Sequence, residues 1–181
     1  MNHETTPDWE ERMAAAWAAF DGYTGGREAE FRALVDGLAA ELPEGSPVAS
    51  FERACAFDST GHSDRAVPLY REALARGLGG YRARRTAIQL ASSLRNVGRA
   101  EEGVALLTAE LDAPSDELDD AVRAVLALCL ASLGREREGL SLVLTALAGH
   151  LPRYQRSMAA YARLLVEPEP REGERPEDDR G

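Results

Sequence analysis

One stretch of the chain decides the fold: TGHSDRAVPLYREAL at residues 60–74, which returns as VGRAEEGVALLTAEL at 97–111 and LGREREGLSLVLTAL at 133–147. Each copy has glycine in second place, and these glycines recur at intervals of 37 and 36 residues: Gly61, Gly98 and Gly134. Five places further on, each copy has a small residue: Ala66, Gly103 and Gly139. A fixed period of this length is typical of stacked structural repeats.

Apolar residues at helical spacing flank each of these turns, and alanine and leucine predominate over β-branched residues. The sequence therefore predicts an all-α fold, a solenoid of antiparallel helix pairs. Its predicted parts, in chain order, are a disordered N-terminus at 1–7, a helical hairpin at 8–42, three helix pairs at 43–149, a capping helix at 152–166 and a disordered acidic tail at 167–181.

Composition narrows the classes of function. The formal net charge is −10, which argues against binding to nucleic acid or to an anionic membrane surface, because both need a basic face. The two cysteines, Cys55 and Cys129, lie far apart within helical patterns, so they are predicted to be buried thiols of a reducing compartment. No signal peptide, membrane span, metal-binding spacing or nucleophile motif is recognisable, and we expect a cytoplasmic protein that is not an enzyme and has no cofactor.

The three units resemble the tetratricopeptide repeat. In the first unit, small and large residues alternate at the places where that repeat has them: Ala54, Phe57, Gly61, Ala66, Tyr70 and Ala73. The resemblance covers residues 47–149 and is greatest to short stand-alone bacterial proteins of that family. Among its departures from the family pattern, the period is slightly longer, the usual tryptophan–glycine pair of the first helix is absent, and Gly103 and Gly139 stand where alanine is usual. The resemblance implies a scaffold or adaptor that binds a peptide or helix of another protein.

Family members bind ligands on the concave face, which the first helix of each pair lines. Carried over by position and by helical spacing, the expected groove residues are Phe51, Cys55, Asp58, Arg85, Ile88, Gln89, Ser92, Arg95, Asn96 and Leu128. We expect apolar contacts to lead the binding, through Phe51, Ile88 and Leu128. Arg85 and Arg95 would select an acidic feature of the partner, because guanidinium groups bind carboxylates well.

Alternatives remain open for these residues and for the chain as a whole. The arginines of segment 82–95 alternatively pair with nearby acids such as Glu101, Glu102 and Asp58, or simply solvate the surface. Cys55 is a nucleophile only if it is accessible and its thiol is activated; an inert packed thiol is the simpler interpretation. The protein itself is alternatively a self-associating module, a homodimer without a peptide ligand. The acidic tail is a further candidate to occupy the basic groove of its own chain.

Overall fold

The computed structural model describes residues 5–167, and within them every regular element is helical. The helices are α1 (Pro7–Ala18), α2 (Glu28–Ala39), α3 (Pro47–Ser59), α4 (Ser63–Ala75), α5 (Gly80–Asn96), α6 (Ala100–Glu110), α7 (Asp119–Ala131), α8 (Glu136–Ala148) and α9 (Gln155–Leu164), with a short 3-10 helix at Phe20–Tyr23. The predicted all-α solenoid of helix pairs is confirmed. Apart from Glu167, the predicted acidic tail lies outside the described residues, as do residues 1–4.

The three recurring turns have the same backbone conformation. Gly61, Gly98 and Gly134 have φ angles of 80°, 77° and 73°, in the left-handed region that glycine adopts without a steric penalty. The amide that follows each glycine donates to the carbonyl five residues earlier, over 2.8–3.0 Å: His62 to Phe57, Arg99 to Leu94 and Arg135 to Leu130. These bonds satisfy carbonyls at the end of the first helix and start the second one.

The small residue after each turn lies where the two helices of a pair approach most closely. A Cβ atom on Gly139 would lie 2.9 Å from the carbonyl oxygen of Ala127. One on Gly103 would lie 2.9 Å from Cys129 Sγ and 3.0 Å from the carbonyl oxygen of Ala91. All three contacts are shorter than van der Waals separation, so the helices of these two pairs are close enough to require glycine. The departure from the usual alanine therefore has a packing reason.

Each second helix packs against the first helix of the next pair, so α4 contacts α5 and α6 contacts α7. The first helices also contact each other, α3 with α5 and α5 with α7. The N-terminal hairpin, α1 with α2, packs on α3 mainly through α2, and Trp9 fixes it by donating from Nε1 to the Leu38 carbonyl over 2.8 Å. The helix pairs therefore stack in chain order, and α3, α5 and α7 lie side by side on one face.

Candidate binding face

The shared face is built from parallel first helices in a constant register. The Arg85 guanidinium lies over the Phe51 ring, 5.2 Å from its centroid. One turn on, Cys55 Sγ is 3.5 Å from Gln89 Oε1, and at the end of the helices Ser93 donates to Asp58 over 2.7 Å. The structure therefore brings together the predicted site residues of α3 and α5. We call the face formed by α3, α5 and α7 the concave face.

Burial divides the ten predicted site residues into two layers. Phe51, Cys55 and Ile88 are buried, with 0%, 1% and 7% of their surface exposed, because they fill the space between neighbouring helices. The expectation that Phe51 and Ile88 contact a partner directly is thus corrected: they form the floor under the surface layer. Gln89, Ser92, Arg85, Arg95 and Asp58 are partly exposed, and Asn96 is exposed. Leu128 on α7 is 49% exposed and is the apolar group of the set that a ligand can reach.

The four arginines of α5 fall into two classes, those with an acidic partner and those without one among the described residues. Arg82 pairs with Glu10 over 2.5 Å and lies 3.7 Å from Glu52, and Arg84 pairs with Asp116 and Asp119 over 2.8 and 2.6 Å. Arg85 and Arg95 form no ion pair within residues 5–167. The alternative of ion pairing thus holds for Arg82 and Arg84, although their acids are not Glu101, Glu102 or Asp58. The other two arginines of the segment have no acidic partner among the described residues.

Asp58 and Asn96 are engaged in a polar network that joins three helices. The Asp58 carboxylate accepts hydrogen bonds from Ser93 over 2.7 Å, from Ser63 over 3.3 Å and from the Tyr70 hydroxyl over 3.4 Å. The Asn96 amide donates to Ser63 over 3.1 Å, and Arg95 Nη2 donates to the Asn96 side-chain oxygen over 3.0 Å. Asp58 thus holds α3, α4 and α5 together, while Asn96 positions the guanidinium of Arg95.

A second polar cluster closes the N-terminal end of the concave face, and sequence reasoning missed it. Trp17 of α1 donates from Nε1 to the carboxylate of Glu52 over 2.9 Å, and Arg82 bridges Glu52 and Glu10. Glu52 is 4% exposed. A single glutamate within the apolar run of α3 was the signal in the sequence, since a buried acid needs partners from another element.

Glu52→Gln is expected to stabilise the protein at neutral pH. Burial raises the pKa of Glu52, and the Trp17 hydrogen bond and the Arg82 charge offset this only in part. In the folded state Glu52 therefore keeps its proton up to a higher pH than in the unfolded chain, where a glutamate pKa is about 4.3. The free energy of unfolding thus falls as pH rises from about 4 through the raised pKa. Glutamine keeps an acceptor for Trp17 but has no charge to bury, so the variant should not lose stability between pH 4 and pH 7 as the wild type does. Denaturant titrations of both proteins at pH 4 and pH 7 measure this difference in the free energy of unfolding.

Glu10→Gln is the matched control, with the opposite sign. Although partial burial opposes ionisation, hydrogen bonds from Arg82 and Thr5 keep the pKa of Glu10 below its usual value. Its contribution to stability is present at neutral pH and is lost as pH falls through that lowered pKa. We expect Glu10→Gln to destabilise at pH 7. A Glu52→Gln variant less stable than the wild type at pH 7 would mean that the attraction to Arg82 outweighs the cost of burial.

Cys55 on this face is a packed thiol and not an activated nucleophile. Burial raises the pKa of the Cys55 thiol to about 12, and Cys55 is 1% exposed, so it remains a protonated packing residue. Within residues 5–167, no three acidic, histidine or cysteine side chains are grouped so as to hold a metal ion. No described helix is long and apolar enough to cross a membrane. What the face presents is unpaired guanidinium groups, amide and hydroxyl groups, and one exposed leucine.

Stacked helix pairs with a shared polar and apolar face define a helical-repeat protein of the kind that binds other proteins. Residues 47–165 match the sequence model of the tetratrico peptide repeat, which is more than half of the chain. The protein therefore belongs to the tetratricopeptide repeat family, whose members are generally non-catalytic modules for protein–protein interaction. No curated protein and no solved structure matches the chain.

Proposed function

We propose that this protein is an adaptor that holds a peptide or helix of a partner protein on its concave face. The observation that carries the proposal is the contrast along α5. Arg82 and Arg84 are neutralised by acids, whereas Arg85 and Arg95 on the concave side have no acidic partner within residues 5–167. A guanidinium that has no acidic partner of its own is free to bind a carboxylate of another protein through two parallel hydrogen bonds.

Positioning of these two arginines supports the same proposal. The ring of Phe51 holds the Arg85 guanidinium from below, and Asn96 holds that of Arg95 from the side. A cation that is already oriented loses less conformational entropy when it binds. Gln89 and Ser92 lie on α5 between the two arginines and add neutral donors and acceptors along the same line.

The partner is therefore proposed to carry acidic side chains beside apolar ones. Leu128 receives an apolar residue, while Arg85 and Arg95 receive carboxylates. In this arrangement the exposed leucine gives burial of apolar surface and the arginines give selectivity.

A photoreactive benzoylphenylalanine at position 128 tests where the partner lies. After irradiation in native lysate, we expect the Leu128-substituted protein to form a covalent adduct with a second protein, which mass spectrometry then identifies. The control carries the same residue in place of Ala105, which is exposed on the outer face of α6. Adducts of the same partner from position 105 but not from 128 would contradict binding on the concave face.

A further inference from the structure

The last helix, α9, does not take the place that a first helix has in the other units. Among the described helices it contacts only α8, whereas α7 contacts both α6 and α5. Ser141 donates to the Ala162 carbonyl over 2.6 Å, and Arg137 Nε donates to the Leu165 carbonyl over 3.2 Å. These two bonds make α9 antiparallel to α8 and place it on the Ser141 side. The residues equivalent to Ser141 in the earlier second helices, Pro68 and Ala105, are exposed.

As a result, the face of α8 that the next unit would cover remains open. Val143 is equivalent to Tyr70 and Leu107, which are fully buried in their units, yet Val143 is 41% exposed. Leu140 is equivalent to Val67, which is buried, yet Leu140 is 49% exposed. Leu147 continues the row and is also exposed. These three leave an apolar stripe on α8.

The neighbouring helix extends the stripe. Since α9 is antiparallel to α8 and faces it with Ala162, a rotation of about 100° per residue turns Tyr161 to the side on which the stripe lies. Tyr161 is exposed. We call Leu140, Val143, Leu147 and Tyr161 the terminal face. From the exposed fractions of these four residues, its area is roughly 350 Å², within the ~300–600 Å² of the largest apolar patch on a typical monomer.

We propose that the terminal face is a homodimer interface, in which α8 of one copy packs antiparallel to α8 of a second copy. The two ends of the stripe have opposite charges, which an antiparallel second copy would pair. Glu136 begins the stripe and Arg153 follows its far end, and both are exposed. A two-fold axis across the stripe brings Glu136 close to Arg153 of the partner subunit, twice. Two-fold pairing of one patch with itself is the commonest oligomeric arrangement.

The area of the terminal face suits such a pairing. A standard interface covers about 800 Å² on each partner, and about 65% of a homodimer interface is apolar. The terminal face supplies about two thirds of that apolar area. This inference does not depend on the proposed function, because the terminal face and the concave face are formed by different residues.

Sedimentation velocity over a concentration series tests the proposal. We expect the wild type to shift with concentration from the monomer mass of 19.6 kDa to twice that mass. Val143→Glu should weaken the dimer at least ~30-fold, the effect of losing one interface hot spot. Leu111→Glu is the matched control, because Leu111, directly after α6, is similarly exposed and lies outside the terminal face; the dimer of this variant should be unchanged.

A charge exchange tests the antiparallel arrangement without touching the apolar stripe. Glu136→Arg should weaken the dimer by repulsion from Arg153 of the partner subunit, and the double variant Glu136→Arg with Arg153→Glu should restore it. A wild type that stays monomeric at all concentrations would overturn the proposal. A dimer that tolerates Val143→Glu would also overturn it, by placing the contact elsewhere.

Discussion

Gly139→Ala should lower the free energy of unfolding by about 2 kcal/mol, the middle of the range for overpacked sites. The added Cβ would lie 2.9 Å from the Ala127 carbonyl oxygen and 3.4 Å from the Ala127 Cα. Both are backbone atoms of α7, so no side chain can rotate away and the two helices of the pair must separate. Thermal unfolding followed by circular dichroism will show this as a lower melting temperature, by roughly 4–8 °C for a domain of this size.

The same substitution at Gly37 is the control, and its effect should have the opposite sign. Gly37 lies within α2, and a Cβ atom there would meet nothing within 4 Å. Alanine is a better helix former than glycine by about 0.5–1 kcal/mol, so Gly37→Ala should raise the melting temperature. If Gly139→Ala were to raise it as well, the close approach of α7 and α8 would be contradicted.

The repeat could be predicted from sequence because its information is local. A turn glycine with positive φ and a small residue five places later determine each helix pair within about fifteen residues. The reason for glycine at 103 and 139 is not local. It depends on how near Ala91, Ala127 and Cys129 come in space, and no spacing in the sequence states that distance.

The site was predicted less completely, for two physical reasons. Helical periodicity identifies a residue's face but not whether a neighbouring helix covers it, so Phe51 and Ile88 were expected at the surface and are buried. Ion pairs join residues far apart in the chain: Glu10 reaches Arg82, and Asp119 reaches Arg84. Sequence proximity had suggested Glu101 and Glu102 instead. Which arginines remain unpaired therefore emerged only from the structure.

The double variant Arg85→Glu with Arg95→Glu reverses two positive charges on the concave face. It should abolish most of the affinity for the partner without unfolding the protein. Each guanidinium is proposed to make a charge-assisted hydrogen bond worth at least ~1.5 kcal/mol, so loss of both corresponds to about 100-fold or more in Kd. Repulsion between the new glutamates and the partner's carboxylates adds to that loss. Both side chains are partly exposed, and neither is in an ion pair whose loss would destabilise the described fold.

The double variant Arg71→Glu with Arg99→Glu is the matched control, because it changes the net charge equally at exposed guanidinium groups that pair with Glu102. Those groups belong to the turns and second helices, away from the concave face. The decisive measurement is therefore calorimetric titration of the partner identified by crosslinking into the wild type and the two double variants. We predict a Kd raised about 100-fold or more for Arg85→Glu with Arg95→Glu, and a nearly unchanged Kd for the control. Equal affinity of all three proteins would contradict recognition by the concave face.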